Sequence, residues 1–485
     1  MVSLGSAASP LRAAAFAFAA LIAVQAARGE SAPQPAAPSA EAQVSTSEPS
    51  VQGPEKPSIN QAVRAALSRA AQQPQTPELR ARRQAVDAFY ASRGDAPVWL
   101  DKGQWTPAAR AVFETLKTAP DDGLDLRAMR VYSLDQGPEA SLALGDIALS
   151  EAVAAYAYQA SGGRIDPARI SSMIAPRAGV VLPAQALEET ATAADAGATL
   201  QAYNPSQPAY VALREKLART RAEPMSGPMA RLASRDSSRR ASDAVGSITR
   251  RGHTLESEIL VNMEFWRWLP RDLGRDRITV NVPEFMARLY RDDSLELSTR
   301  VIVGKPDKPT PLFSNQMEYL IVNPSWNVPQ SIIKNEMMTK LDSLRRQGYE
   351  IDWVNGKLRV RQPPGERNAL GQIKFIFPND YAVYMHDTPT HHLFQESVRA
   401  FSHGCVRVDQ PFKLAETLLR PERGWTEARL RKLVGKNERR VVLPAPLPVH
   451  IVYFTLVEDE FGELRRVDDV YGYSAKAREL LGLGG

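Results

Sequence analysis

The sequence predicts an α+β protein of more than one domain: an α-helical scaffold domain, then a mainly β domain carrying a helical insertion. Three observations carry this. Residues 58–215 repeat apolar side chains at helical spacing, the chain after 254 breaks into short β-type runs divided by turn residues, and two low-complexity stretches, 27–57 and 216–253, separate the parts. A chain of 485 residues, 44% hydrophobic and 24% charged, has material for two or three cores.

The first 26 residues read as a signal peptide. Arg12 supplies the positive region, Ala13 to Val24 is an apolar run short for a membrane span, and Val24-Gln25-Ala26 offers small residues for cleavage. An uncleaved anchor is the alternative, and no later stretch reads as apolar enough to cross a membrane. Residues 27–57, rich in Ala, Pro, Ser, Glu and Gln, bury no core and read as a tether. Helical spacing then covers Ile59–Ala71, Pro77–Tyr90, a helix capped by Thr106 and starting at Pro107, and Ser141–Ala160. Residues 216–253 carry Arg231, Arg235, Arg239, Arg240, Arg250 and Arg251. They read as a solvated basic linker, with a patch for an anionic polymer as the alternative. A formal charge of +5 is modest and does not call for nucleic acid.

The second domain, 254–485, opens with a helix at Leu255–Trp268, ended by Pro270. Strand-like runs follow at Arg277–Val282, Phe285–Tyr290, Ser298–Val303, Glu318–Val322, Lys374–Phe377, Ala382–Met385, Arg440–Leu443 and His450–Leu456. Residues 325–372 interrupt them with a helical piece (Pro329–Gln347) and a polar loop. An insertion of this length between strands is a candidate lid.

The chemistry centres on Ser402-His403-Gly404-Cys405-Val406-Arg407, which holds the only cysteine in the sequence. An exported chain with one thiol has no partner for an internal disulfide. His386, nineteen residues upstream, is a candidate base. It follows one predicted strand, while Cys405 precedes another at Val406–Val408, so the two ends can adjoin. Gly404 removes a Cβ beside the sulfur, and its N–H is a candidate oxyanion donor. Arg399 and Arg407 are candidates to bind a substrate carboxylate or favour the thiolate; pairing with Asp387, Asp409 or Glu396 is the structural alternative. Ser402, His403, Tyr384 and Trp326 complete the candidate substrate-binding set. His391 and His392 read as loop residues. The histidines and the cysteine lack HExxH or CxxC spacing, so no metal is expected, and no dinucleotide or phosphate motif is present.

The stretch from His386-Asp387-Thr388-Pro389 to Ser402-His403-Gly404-Cys405-Val406-Arg407 resembles the signature of L,D-transpeptidases with a YkuD catalytic domain, in the large periplasmic branch typified by YcbB. Asn262 to Pro270, Val301 to Pro306, Asn323 to Pro329, Asn368 to Gly371 and Lys374 to Asn379 resemble further motifs of that branch. Tyr90 to Gly94, Pro97 to Trp99, Gly123 to Asp125 and Gly163 to Pro167 resemble its scaffold domain. The resemblance implies a cysteine-dependent enzyme, without cofactor, that remodels peptidoglycan in the periplasm. Cys405 would attack the third residue of a stem tetrapeptide, usually meso-diaminopimelate. His386 would serve as base and acid, oriented by the backbone carbonyl of Asp387, whose own side chain would matter less. An amine of a second stem would resolve the thioester into a 3-3 cross-link, and carbapenems would acylate the same cysteine. The 325–372 insertion would be the capping subdomain. The small peptidoglycan-binding module usual in larger relatives has no counterpart pattern in 205–253.

Other outcomes share this thioester: hydrolysis by water, making an L,D-carboxypeptidase, or transfer to an outer-membrane protein amine. A non-catalytic wall-binding scaffold is the non-enzyme reading, against which the intact His386 and Cys405 pair stands. A thiol redox sensor would want a resolving cysteine, which the sequence lacks.

Overall fold

The computed structural model describes residues 58–222 and 255–483, apart from loop positions 74, 128, 130–133, 135, 136, 421, 423, 460 and 461. The signal peptide, the 27–57 tether and almost all of the basic linker lie outside the described residues.

The scaffold helices start where local chemistry caps them. Ser58 and Gln61 form a reciprocal capping box at α1 (Ile59–Ala71). Thr76 caps α2 (Pro77–Ser92), with proline at its first position. A two-strand hairpin, β1 (Leu100–Asp101) and β2 (Gln104–Trp105), leads to Thr106, which caps α3 (Pro107–Lys117). The long α4 (Glu139–Gly162) is packed by α1, α2 and α3 and by α5 (Pro183–Thr192). This helix corrects the expectation that no later stretch is apolar enough to span a membrane: α4 has the length and composition. Its alanine-rich middle, Ala152 to Ala157, is buried inside the scaffold core. The short α6 (Ala196–Gln201) and α7 (Pro208–Ala222) complete the scaffold. Residues 216–222, read as linker, continue α7, whose Leu217 is buried against the next helix, α8 (255–266).

Buried polar groups pin the scaffold to the catalytic part. Glu264 on α8 accepts the Ile165 N–H at 2.7 Å, and the neighbouring Arg267 donates to Tyr210 Oη at 2.8 Å and to the Asp122 carbonyl. Ile165 and Ile174 enter the catalytic core itself. Hydrogen-bonded charges at such a seam fix orientation more than they add stability.

The catalytic domain is built on one mixed sheet of β3 (Arg277–Asn281), β4 (Met286–Arg291), β5 (Ser294–Gly304), β6 (Phe313–Val322), β10 (Ile373–Ile376), β11 (Met385–His386), β12 (Ala400–Ser402), β13 (Val406–Val408) and β14 (Arg439–Val452). The order is β12-β5-β13-β11-β10-β6-β14-β3-β4, and β4 also pairs with β5, so the sheet returns on itself. β11 and β13 are parallel neighbours. Alternation then sorts the side chains. Ile373, Phe375, Met385, Val406 and Val408 fill the core, leaving Lys374, His386 and Arg407 on the opposite face, with Tyr384 and Cys405 at the starts of β11 and β13.

Two sequence expectations are corrected here. Residues 382–384 are not strand. Asn379 folds them into a turn by donating to the carbonyls of Phe377 and Val383, and Ala382 has a φ of 55°. The 325–372 insertion is not simply helical. Its helical piece divides into short turns before α9 (Leu341–Arg346), and the expected polar loop is a hairpin. β8 (Glu350–Val354) and β9 (Lys357–Gln362) turn at Asn355-Gly356, both at positive φ, and β9 pairs with β7 (Trp326–Asn327). Val328, Ile333, Leu358 and Val360 give the insertion its own small core.

Candidate active site

Register places the site. His386 lies beside Arg407 on β13 and beside Lys374 on β10. Cys405 directly precedes β13, and the Val406 N–H donates to the Tyr384 carbonyl at 3.1 Å. Tyr384, just before β11, thus adjoins Cys405, just before β13, and His386 adjoins Arg407.

His386 is 4% exposed, and its Nδ1–H donates to the backbone carbonyl of Asp387. That bond fixes the tautomer and leaves Nε2 with a free lone pair. Burial, aided by the charges of Arg407 and Lys374, pushes the imidazole down to about 3. It is therefore neutral at physiological pH, the form in which it accepts a proton.

Cys405 is a free, half-buried thiol. Burial pushes its pKa up. The Tyr384 backbone N–H, the charges of Lys374 and Arg407, and the Tyr384 phenol pull the other way. The Tyr384 phenol is near enough to Cys405 to favour its thiolate, and Trp326 is near enough to Tyr384 to favour its ionised form. Trp326 belongs to the inserted sheet, so the lid reaches the tyrosine that adjoins the sulfur.

The loop around the thiol is held by its own groups. Ser402, 2% exposed, donates from Oγ to the Cys405 carbonyl and accepts the Gly404 N–H at 3.1 Å. The Gly404 N–H, the candidate oxyanion donor, is thus engaged by Ser402 Oγ. Glycine is required at 404 by its φ of 113°, not by space beside the sulfur, since an added Cβ would meet nothing nearer than 3.6 Å. Ser402 likewise shapes the loop. His403 points to the insertion, where its Nε2 lies 2.8 Å from Glu336. The same carboxylate holds Lys308 at 2.6 Å, and that bond chiefly keeps it below the usual carboxylate range.

The two arginines part ways. The Arg399 guanidinium donates to the carbonyls of Val301, Glu396 and Phe285 at 2.9–3.2 Å, lacing strands together. Arg407 stays at the site. Its Nη1 reaches Thr390 Oγ1 at 3.4 Å, and its buried Nε has no partner among the described residues. Asp409 instead pairs with Arg300 at 2.9 Å. The Asp387 side chain does more than expected: it is 4% exposed and accepts the Gln372 N–H at 2.8 Å. His391 lies 3.6 Å from Asp387 and, like His392, is exposed. Among the described residues no cluster with metal-ligating composition occurs.

Sequence reasoning missed Lys374 and Glu336. The signal for Lys374 was a lone cation in the otherwise apolar Ile373-Lys374-Phe375-Ile376. Glu336 carried no signal, because its partners are 28 and 67 residues away.

Comparison with known proteins agrees with this architecture. Residues 275–442 match the family described as "L,D-transpeptidase catalytic domain" (YkuD), and residues 84–217 match the "Scaffold domain". A Haemophilus influenzae protein named "Putative L,D-transpeptidase" is 37% identical over 218 residues, covering 40% of this chain and 44% of that protein. The match thus spans less than half the length of that curated relative. Weak structural likenesses include an L,D-transpeptidase from Mycobacterium smegmatis (13% identity, 36% of this chain, 58% of that one, TM-score 0.20) and L,D-transpeptidase 3 from Mycobacterium tuberculosis (11%, 36%, 60%, TM-score 0.22). This chain thus joins a scaffold domain at 84–217 to a YkuD L,D-transpeptidase catalytic domain at 275–442.

Proposed function

We propose that this chain is a cysteine-dependent L,D-transpeptidase acting on peptidoglycan. The observation that carries the reading is Cys405 beside a neutral His386 whose Nδ1–H is committed to the Asp387 carbonyl. His386 Nε2 takes the thiol proton as Sγ bonds to the carbonyl carbon of the third stem residue. The amide C–N bond breaks, His386 returns the proton to the departing D-Ala amine, and a thioester remains on Cys405. The amine of a second stem attacks that thioester, forming the 3-3 amide and restoring the thiol. Water in place of the amine gives the L,D-carboxypeptidase outcome, and an outer-membrane protein amine would tether that protein to the wall by the same intermediate. Export to the periplasm is supported by the signal-like first 26 residues.

The test incubates the purified protein with tetrapeptide muropeptides and, separately, with a carbapenem, and examines products and protein mass. The expected results are 3-3 dimers and a single acyl adduct, both lost in Cys405→Ser. Dimers from Cys405→Ala at the wild-type rate would overturn the mechanism.

A further inference from the structure

Lys374 occupies a costly position. It sits mid-strand between Ile373 and Phe375, both fully buried, and directly across from His386. Its Nζ rests 3.7 Å from the centroid of the Tyr384 ring. Among the described residues, no carboxylate lies within ion-pair distance of it. The strand itself would accept an isoleucine or valine there, and a half-buried, unpaired ammonium loses hydration that one cation–π contact only partly returns. The bland explanation, packing of the aliphatic stem, accounts for the butyl chain but not for a charge delivered onto this one ring.

The ring belongs to Tyr384, which strand register sets opposite Cys405: the Val406 N–H donates to the Tyr384 carbonyl at 3.1 Å. We propose that Lys374 is a positioning residue for the nucleophile: its ammonium, seated on the Tyr384 face, polarises the phenol so that its hydroxyl favours the neighbouring Cys405 thiolate. A cation on the π face withdraws electron density from the ring and makes the phenolic hydrogen a better donor. Trp326, on the lid side, also favours ionisation of the same phenol. Lys374 also disfavours charge on His386. This inference rests on Cys405 as the nucleophile, but its test needs no cell-wall substrate.

Cys405 is the only cysteine, so alkylation reports on it alone. Iodoacetamide, an uncharged probe, is reacted with the full chain across pH, and the midpoint of the rate profile gives the thiol pKa. Lys374→Gln is expected to move the midpoint up by about one pH unit, a roughly tenfold loss of thiolate below it. Lys374→Arg, which keeps the charge, is expected to restore most of the shift. Tyr384→Phe is expected to raise the midpoint as well, and adding Lys374→Gln to it should then change little. An unmoved midpoint in a folded Lys374→Gln protein would overturn the proposal. So would full additivity of the two substitutions, which would remove the route through Tyr384. If Lys374→Gln does not fold, an unmoved midpoint in Tyr384→Phe overturns it equally. Loss of muropeptide dimers with normal alkylation behaviour would count against the proposed function and not against this relay.

Discussion

Gly371 packs against Asp387, the residue after His386, and replacing it with alanine should disable the site. Its φ is 61°, so any L side chain there costs about 1–2 kcal/mol. A Cβ would also stand within 2.5 Å of the Asp387 Cβ and against its carboxylate. Rotating the carboxylate does not clear the Asp387 Cβ, so backbone must move. Forcing such a methyl into a packed position costs a further 1–3 kcal/mol, on the order of 3 kcal/mol in all. The backbone that moves is the one whose carbonyl holds the His386 ring. A shift near 1 Å at that carbonyl would cost about 100-fold in rate. The measurements are denaturant unfolding and the rate of carbapenem acylation followed by protein mass. Gly103→Ala is the control: its φ is 75° but nothing lies within 4 Å, so it should lose about 1 kcal/mol and no activity. Gly371→Ala with wild-type stability and acylation would refute the coupling of the 371 turn to His386.

Two further outcomes follow from the same site. His386 has a folded pKa near 3 against an ordinary 6.5, so between those values the unfolded chain binds the extra proton. Its contribution is complete above about pH 6.5 and is lost as pH falls toward 3, at up to about 1.4 kcal/mol per pH unit. His386→Gln should flatten stability against pH in that window; an unchanged slope would show that the histidine is not buried neutral. Arg399→Met should cost about 2–3 kcal/mol by stripping donors from three backbone carbonyls. The folded fraction should acylate at the wild-type rate, and a selective rate loss would return Arg399 to the substrate.

The helices were legible because their caps are local. Thr106-Pro107 and Ser58 with Gln61 carry start signals within four residues. The inserted hairpin was legible too, through Asn355-Gly356 between alternating runs, and was misread as loop because its strands are rich in charge. The Asn379 turn was hidden for the opposite reason: Ala382 to Met385 looks like strand, and only side-chain bonds from Asn379 bend it away.

At the site, the sequence by itself singled out Cys405 and His386 as the candidate pair, since there is one cysteine and its motif is contiguous. It also determined the two-part architecture, because periodicity and caps act over short spans. Tertiary structure alone decided the roles around them. Parallel pairing of β11 with β13 turned alternation into a shared face for His386 and Arg407, with Tyr384 and Cys405 at the strand starts. Antiparallel β10 added Lys374 to that face, Arg399 was drawn off to backbone carbonyls, and the Gly404 N–H was taken up by Ser402. The physical reason is common to all four: a side chain's partner is set by strand register and loop closure, and neither is encoded in the few residues around it.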